Sequence, residues 1–533
     1  MLILLPVLLP TIASVAILIV QRFQPRFGTS YLLAVATALA NLGLVLSFHW
    51  NPPPALALAN WLPFPGMPAA IIFQLDTVSW PYAFAIASLA AAAILTASGR
   101  LALHSIPADW AGCLLVSGTA ILAIMASSPL ALALAWTIVD LIELMLILGT
   151  VNKPQMSLQA VLSFSARLAG TFFLIIAMYV SQSGGQTLIL VDPPASSGIF
   201  LLIAAGLRLG VLPLHLPYTA EVPLRRGLGT LLRLASPASS LVVLGHLPGS
   251  VVPPEISPYL LIFAALASLY GAAMWLSAEN EINGRPYWMI ALAGMCVASS
   301  IRGYPLGSLS WGTALILSGS VLFLYSARER LTIIPPLVSL LAFSGLPFTP
   351  TASGWSGLII PPINTPDFIF LISHFLLMAG FIRHVLKPAD PLAPMERWIQ
   401  VLYPAGLYLL GLAGWLLAFI GWPQSLTVGN VWASSISVLL TLVFGFWYVR
   451  VRPRMPEGQL EKSWLVIIGK RVTSVMAVIF RLDWLYISFG FLFRVFQSLF
   501  QVLTNLLEGE GGVLWVFVLL ALLLSLLSGI NKP

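Results

Sequence analysis

Long hydrophobic runs recur along the chain from Leu2 to Leu527, and they constrain its fold more than any other feature. A run of about eighteen residues or more crosses a hydrocarbon core of about 30 Å as an α-helix. Of the 533 residues, 59% are hydrophobic and only 8% are charged, whereas soluble domains carry roughly 25% charged residues. The sequence therefore predicts an all-α, polytopic membrane protein in contact with the lipid bilayer.

These runs predict about sixteen transmembrane spans. The first is expected to be an uncleaved helix, because no cationic residue precedes it and many spans follow it. The predicted spans are Leu2–Val20, Ser30–Phe48, Ser79–Ser98, Trp110–Ser127, Leu130–Gly149, Leu158–Val180, Ile199–Pro217, Gly229–Leu247, Tyr259–Ser277, Tyr287–Ile301, Leu306–Ser326, Ile333–Phe348, Phe368–Leu386, Val401–Ile420, Val431–Val449 and Gly512–Leu527.

The basic residues of the loops test this division independently. They concentrate in alternate loops, and Arg302 is the only exception before Lys532. By the positive-inside rule the basic loops face the cytoplasm and the N-terminus lies outside. We therefore expect a multi-pass protein of a prokaryotic cell membrane. The formal charge of +7 reflects this topology and does not indicate binding to nucleic acid.

The segment from Trp464 to Asn505 has a different pattern. Polar residues recur every three or four positions near its end, and Gly490 separates them from an earlier polar stripe. We expect an amphipathic, lateral helix followed by an anchoring span. The alternative is one more span, interrupted by Arg481 and Asp483.

Ionisable side chains inside predicted spans are the candidate functional residues, because each costs a few kcal/mol at the bilayer centre. Asp140 and Glu143 are three residues apart and share a helix face. Arg208 precedes Pro213 and Pro217, and a proline in a span frees backbone carbonyls that need other partners. The candidates for a proton or ion pathway are Asp140, Glu143, Arg167, Arg208, His215, Arg233 and His374, and those for helix breaks are Pro213, Pro217 and Pro347.

No residue pattern indicates a catalytic, redox or metal site. The GxGxxG, GKS/T and cysteine-cluster motifs are missing, and Cys113 and Cys296 lie far apart within apolar runs. We expect no cofactor and no metal on this chain. Any electron transfer would then belong to partner subunits.

Four short stretches resemble, in order and spacing, the motifs of one family of membrane proteins. Arg208–His215 resembles a Lys-x4-Pro-x-His motif in a broken seventh helix, and Ile142–Met145 resembles Trp-Glu-Leu-Met in a fifth helix. Phe73–Asp76 resembles a Phe-x-Leu-Asp before a third helix, and Ser344–Ser356 resembles the Gly-Leu-Pro…Gly-Phe of a broken twelfth helix. The family is that of the antiporter-like membrane subunits of complex I, Mrp cation/proton antiporters and related membrane-bound hydrogenases. The resemblance covers roughly Leu2 to Val449.

The resemblance implies two inverted half-channels of five helices each, joined by a polar axis along which lysines and acids exchange protons. It also implies other membrane subunits of such an assembly as partners. On this basis the chain is expected to divide into N-terminal spans (1–109), a first repeat (110–250), a second, degenerate repeat (251–390), C-terminal core spans (391–455), an amphipathic segment (456–510) and an anchoring span (511–533).

The chain departs from that scheme at its charged positions. Arg208 stands where the seventh-helix lysine is expected, and a guanidinium is not deprotonated in proteins. Arg233 lies a few residues early for the lysine of the eighth helix. The charge of the twelfth helix is expected near Leu358, and no ionisable residue lies between Leu331 and Pro366.

Two functions remain open from the sequence. As a subunit of a complex I-related or Mrp-like assembly, the chain takes part in proton or cation translocation, or it is a non-conducting scaffold of such an assembly. In the first case Asp140 and Glu143 belong to an ion path, and in the second they form structural ion pairs with Arg208 or Arg167. A third interpretation, a stand-alone solute transporter, is disfavoured because the predicted spans contain no polar substrate pocket.

The two histidines are open in the same way. His215 either titrates or stabilises the helix break. His374 is expected to be a packed, hydrogen-bonded side chain more readily than a proton relay.

Overall fold

The computed structural model describes residues 2–23, 27–58, 70–100, 107–149, 154–215, 226–249, 252–328, 331–387, 397–422 and 425–451, with a few positions between 494 and 521. The chain divides into two compact units, Met1–Thr473 and Ser474–Pro533. All helices and strands with described bounds belong to the first unit. The predicted lateral helix and anchoring span lie outside the described residues, apart from isolated helical positions such as Arg494 and Phe517.

The described residues of the first unit form helices and one small hairpin. The unit also has single 3-10 turns at Leu2–Leu4 and Ser98–Arg100 and a π turn at Trp447–Val451. The elements are α1 (Leu5–Phe23), α2 (Phe27–Ser47), β1 (Leu56–Ala57), β2 (Ile72–Phe73), α3 (Ser79–Ala97), α4 (Pro107–Ile124), α5 (Pro129–Leu148), α6 (Pro154–Ser183), α7 (Ala195–Leu209), α8 (Arg226–His246), α9 (Ser257–Ser277), α10 (Glu281–Ile301), α11 (Pro305–Leu324), α12 (Ile334–Phe343), α13 (Ala352–Leu358), α14 (Thr365–Val385), α15 (Arg397–Ile420) and α16 (Val431–Phe446).

Twelve helices among the described residues are long and apolar enough to cross a membrane, and the shorter α7 and α12 are also apolar. Each of the first fifteen predicted spans overlaps one helix. The all-α, polytopic membrane class is therefore confirmed. The total of sixteen spans, the two inverted repeats and the six-part division of the chain stay predictions.

Helices α3, α8 and α11 form the centre of the helical unit. They pack against one another, and almost every residue in each of them is buried. Small residues permit this close approach, because helices in a bilayer gain most from van der Waals packing between backbones. In α3 the run Ala90–Ala93 is such a surface, since all four alanines are buried.

Two predicted spans are broken and therefore shorter than their hydrophobic runs. Helix α7 ends at Leu209 and not at Pro217, because Gly210 adopts the left-handed conformation with φ 75° and a cis peptide follows at Leu212–Pro213. The amides of Val211 and Leu212 then both donate to the carbonyl of Gly206, at 2.9 and 3.2 Å.

The second break separates α12 from α13. Helix α12 ends at Phe343, and Gly345 takes a φ of 70° that favours glycine. Thr351 closes the gap, since its hydroxyl donates to the carbonyl of Ala342 at 2.9 Å and accepts from the amide of Gly345 at 3.0 Å. Pro347 lies within this break.

The hairpin docks on the turn between α4 and α5. Strands β1 and β2 pair antiparallel, with Leu56 opposite Phe73. The amide of Ser127 donates to the carbonyl of Ile72 at 3.0 Å, and the amide of Ile72 donates to Ser128 Oγ at 3.1 Å. This contact fixes the start of α5, the helix that carries the predicted acid pair.

Asp76 joins the hairpin to two central helices. One carboxylate oxygen accepts from the amides of Val78 and Ser79, at 3.0 and 2.7 Å, at the start of α3. The other lies 2.7 Å from His246 Nε2 at the end of α8. Burial alone would raise the pKa of Asp76, but the hydrogen bond and charge of His246 and the donors of Ser79 outweigh it and lower the pKa to about 2.

Replacing Asp76 by Asn is expected to lower the thermal unfolding midpoint of the detergent-purified protein at pH 7, by the equivalent of roughly 1–3 kcal/mol. The folded-state pKa of Asp76 is depressed, so its carboxylate stabilises the fold above the unfolded-state pKa, and this contribution is lost as the pH falls toward about 2. The difference in midpoint between wild type and variant should therefore close between about pH 4 and about pH 2.

The exposed loop residue Asp192 provides the matched control, since Asp192→Asn removes an aspartate of the same charge. A difference for Asp76→Asn that stays constant across this pH range would contradict the role assigned to Asp76.

Candidate functional site: a buried ion-pair cluster

Helices α5, α6 and α7 bring four of the predicted pathway residues into one buried cluster. Asp140 and Glu143 on α5 are each 2% exposed, and Arg167 on α6 and Arg208 on α7 are each 1% exposed. Isolated charges at such depth cost several kcal/mol each, so they persist only when they are paired. Two carboxylates and two guanidiniums give this cluster a formal charge of zero.

The Arg208 guanidinium binds Asp140 through both of its terminal nitrogens. One terminal nitrogen lies 2.6 Å from Asp140 Oδ2 and the other lies 2.9 Å from Oδ1. This two-point geometry matches the planar guanidinium to the planar carboxylate and is among the strong hydrogen-bond arrangements in proteins. The first nitrogen also lies 3.3 Å from the carbonyl of Arg167 on α6.

Arg167 connects the two acids. Its Nε lies 3.5 Å from Asp140 Oδ1, and one terminal nitrogen donates to Glu143 Oε2. The spacing of three residues between the acids places both carboxylates within reach of this one side chain. Because Asp140 and Glu143 share a helix face, Arg167 pairs with both of them.

Trp136 is a member of the site for which the sequence analysis gave no signal of function. It is 0% exposed, and the guanidinium carbon of Arg208 lies 4.3 Å from the centre of its ring. Its Nε1 donates to Ser239 Oγ on α8 at 2.8 Å. The signal available in the sequence was position, because Trp136 precedes Asp140 by one helical turn and so shares its face.

Gly170 permits the approach of α6 to α7. A Cβ atom at this position would lie 2.6 Å from Arg208 Cγ and 2.8 Å from the carbonyl oxygen of Ala204. Any larger residue would displace the Arg208 side chain or the α7 backbone. The glycine therefore leaves the space that the Arg208 side chain occupies.

Arg233 lies at the edge of the cluster, and His215 follows the break in the polypeptide after α7. Arg233 on α8 is 5% exposed and interacts electrostatically with Glu143. The Nδ1 of His215 lies 2.8 Å from the carbonyl oxygen of Pro213. Because a carbonyl only accepts, this nitrogen carries the proton. Pro217 lies outside the described residues.

His374 is remote in sequence from this cluster and contacts the second helix break. It is 0% exposed on α14. Its Nε2 lies 3.0 Å from the carbonyl oxygen of Phe343, the last residue of α12, and its Nδ1 lies 2.7 Å from Ser437 Oγ. The carbonyl requires a proton on Nε2, so in the neutral imidazole Nδ1 accepts from the serine hydroxyl. The rings of Trp311 and Trp355 enclose it, with centroids 5.4 and 5.0 Å away.

Two further ion pairs close to span ends were not singled out from the sequence. Arg226 at the start of α8 lies 2.8 Å from Glu281 at the start of α10. Arg302, the exception in the loop-charge pattern, pairs with Asp367 at the start of α14 and donates to the carbonyl of Leu358. Pairing with a buried carboxylate explains how this loop tolerates a cation on the predicted outer side.

Metal ligation has no support in the part of the chain that the structure describes, where no group of three or more His, Cys, Asp or Glu side chains could hold an ion. The cluster of α5, α6 and α7 contains a positive charge for every carboxylate. Chemically it can hold helices together or, if a proton acceptor is available, exchange protons.

Solved structures share this fold. A chain of the Mrp complex from Dietzia sp. DQ12-45-1b superposes with a TM-score of 0.69 at 14% identity, over 100% of this chain and 63% of that chain. A chain of the membrane-bound sulfane sulfur reductase, an archaeal respiratory membrane complex, gives 0.65 at 14% identity, over 98% and 99% of the two chains. A chain of respiratory complex I from Thermus thermophilus gives 0.60 at 17% identity, over 83% and 100%.

These similarities confirm at the level of the fold the resemblance that the four motifs predict. The chain spans less than two thirds of the length of the Mrp chain that it matches. No protein-family model and no curated protein sequence matches the chain.

Replacing Arg208 by Met is expected to destabilise the purified protein by about 3–5 kcal/mol, because it leaves the Asp140 carboxylate buried and unpaired. Arg208→Lys should cost less, since it keeps the charge but loses the two-point geometry. Adding Asp140→Asn to Arg208→Met should restore part of the lost stability. Thermal unfolding in detergent measures all three.

The exposed Arg450 supplies the control, because Arg450→Met removes the same group from the protein surface. If Arg208→Met and Arg450→Met shift the unfolding midpoint equally, the pair with Asp140 does not stabilise the fold.

Proposed function

We propose that this chain is an antiporter-like membrane subunit of a complex I-related or Mrp-like assembly, and that within it the chain is a non-conducting structural subunit. The four motifs in order and the fold shared with chains of an Mrp complex, a sulfane sulfur reductase and complex I support the first part. Its partners are then other membrane subunits and lipid, in a cell membrane with the basic loops cytoplasmic.

The observation that carries the second part is the two-point bond of Arg208 to Asp140. The family scheme needs a lysine here because an ammonium group can lose and regain a proton when its surroundings change. The guanidinium keeps its proton at all accessible pH values. It also holds the carboxylate oxygens of Asp140, so that releasing this acid for proton exchange would cost several kcal/mol.

The second half of the chain supports the same proposal. Near its helix break the candidate relay is His374, and both of its ring nitrogens are engaged with fixed partners. To take up a proton on Nδ1, the imidazole would have to lose the Ser437 hydroxyl as a donor while caged by Trp311 and Trp355. Proton transfer through this ring would therefore require the Ser437 hydroxyl to reorient inside a buried aromatic site.

One observation favours the second candidate function, translocation through the first half of the chain. His215 Nε2 is buried and accepts no hydrogen bond from any residue that the structure describes. A lone pair in that position, next to the break after α7, is a proton acceptor of the kind a relay requires. By the family motif, Glu143 would be the acidic partner in such a path.

The assembly is tested by an affinity pull-down of the tagged chain from native membranes, with mass spectrometry of the co-purifying proteins. Recovery of Mrp-like, quinone-reductase-like or hydrogenase-like subunits is expected. Recovery of the chain alone would contradict the assembly and favour a stand-alone transporter.

The role within the assembly is tested in proteoliposomes containing the purified complex, with a pH-sensitive dye reporting proton movement driven by a sodium gradient or a potassium diffusion potential. The double variant Arg208→Met/Asp140→Asn removes the pair without leaving a lone charge. A structural subunit predicts flux within about twofold of wild type for every variant that assembles. A loss of tenfold or more, in either this variant or His215→Gln, would assign conduction to the first half of the chain.

A further inference from the structure

A continuous series of buried rings connects helices α9 to α14 in the second half of the chain. Successive ring centroids lie 5.4, 5.1, 4.8, 5.0 and 5.6 Å apart. Each of the six side chains is 0% exposed. We call this set the aromatic column, and its members in order of contact are Trp275, Trp288, Phe343, His374, Trp355 and Trp311.

The column is long relative to the bilayer. Trp311 lies on α11, and Phe323 of the same helix contacts the other end of the column, with its ring centroid 6.0 Å from that of Trp275. These two positions are separated by about 18 Å along α11, at about 1.5 Å per residue. The rings therefore extend over more than half of a hydrocarbon core of about 30 Å.

The second helix break lies against this column. A break inside a bilayer is a place where water can enter, because freed backbone groups need hydrogen-bond partners. Phe343 is the last residue of α12, and Trp355 lies on α13 beyond the break. His374 contacts both rings, with centroids 4.8 and 5.0 Å away. Three members of the column thus flank the break.

The four indoles occupy space that glycines leave open. A Cβ atom added to any of these glycines would lie 2.2 to 2.6 Å from an indole atom, which is closer than real Cβ contacts. The indoles therefore lie directly against the backbone of neighbouring helix segments, as in a close-packed interior. The glycines are Gly284 and Gly380 for Trp275, Gly319 for Trp288, Gly354 for Trp311 and Gly345 for Trp355.

The two ends of the column differ in polarity. Trp275 Nε1 donates to the carbonyl of Leu377 and Trp288 Nε1 to that of Leu315, each at 3.1 Å. The indole nitrogens of Trp311 and Trp355 are buried and donate to no residue that the structure describes, so water that reached them would find donors. The water-excluding part of the column is therefore Trp275, Trp288 and Phe343.

We propose that the aromatic column is a seal that blocks water and protons from crossing the second half of the chain at the helix break. Trp288 is its central ring, since it contacts both Trp275 and Phe343. This inference deepens the proposed non-conducting role and rests on it, because a structural subunit with a broken span must still keep the membrane tight.

The test measures passive proton leak through the full-length chain in proteoliposomes. A potassium diffusion potential drives the protons, and an enclosed pH-sensitive dye reports them. Trp288→Ser leaves the space of an indole and removes the donor to the Leu315 carbonyl, so water can enter. We expect its leak to exceed that of wild type by about tenfold or more. Trp288→Phe, which restores an apolar ring, should stay within about twofold of wild type.

Trp80→Ser is the matched control. Trp80 is also buried, at 4% exposed, and its Nε1 also donates to a helix carbonyl, that of Val45 at 2.8 Å. It lies on α3, outside the column, so its replacement removes an equally packed indole without opening the seal. If Trp288→Ser does not fold, Phe343→Ala is used instead and should leak in the same way.

Variants of Trp288 or Phe343 that fold and remain as tight as wild type would overturn the seal, and so would an equal leak in Trp80→Ser. The proposed function fails separately, if wild-type vesicles leak and Arg208→Met/Asp140→Asn makes them tight. The seal is then decided in that double variant, where added Trp288→Ser should restore a leak and an unchanged tightness would overturn the seal.

Discussion

The bond between Arg208 and Asp140 is the interaction on which the arrangement of α5, α6 and α7 depends. Both groups are almost fully buried, and removing either one would leave a charge without compensation in a medium of low dielectric constant. The geometry leaves little freedom, because two nitrogens meet two oxygens at 2.6 and 2.9 Å. The bond therefore fixes the depth and rotation of α5 relative to α7.

The neighbours of this pair serve to hold it. Trp136 covers one face of the guanidinium and is itself fixed by Ser239 on α8, and a cation over an indole ring gains roughly 0.5–2 kcal/mol. Gly170 leaves the space through which the Arg208 side chain passes. A lysine could not use this site equally well, because its compact ammonium group lacks both the planar face and the two parallel donors.

The sequence predicted the helices and the charged residues, but not how the residues meet. Hydrophobic length alone located α1 to α12 and α14 to α16, because each crossing needs a long apolar run. The pairing of Asp140 with Arg208 and of Glu143 with Arg167 depends on distances between helices that are far apart in sequence. Trp136 and Ser239 were missed for the same reason. The spacing places Trp136 on the same helix face as Asp140, but spacing alone does not show whether an indole faces lipid or covers a guanidinium.

The sequence pattern also did not predict where α7 and α12 end. Apolar residues continue past both breaks, so hydropathy extends each span to Pro217 or Phe348, whereas backbone conformation at Gly210 and Gly345 ends the helices earlier. A proline, Pro213 or Pro347, lies close to each break. The exact end depends on which side chains satisfy the freed backbone groups, and those come from elsewhere in the fold.

The two breaks solve the same physical problem with different chemistry, and the difference bears on function. A broken helix inside a bilayer must satisfy its freed carbonyls. The first break does so with its own backbone, since Gly206 accepts from Val211 and Leu212. At the second break, Thr351 donates to the carbonyl of Ala342 and His374 donates to the carbonyl of Phe343. In both places groups of the protein bind the freed carbonyls. In an ion path these carbonyls would instead bind water or a transported ion. A histidine that is needed to close a helix end cannot leave it to carry a proton without exposing that carbonyl. His374, a relay candidate by sequence alone, therefore stabilises the helix break. This favours a structural role for the second half of the chain.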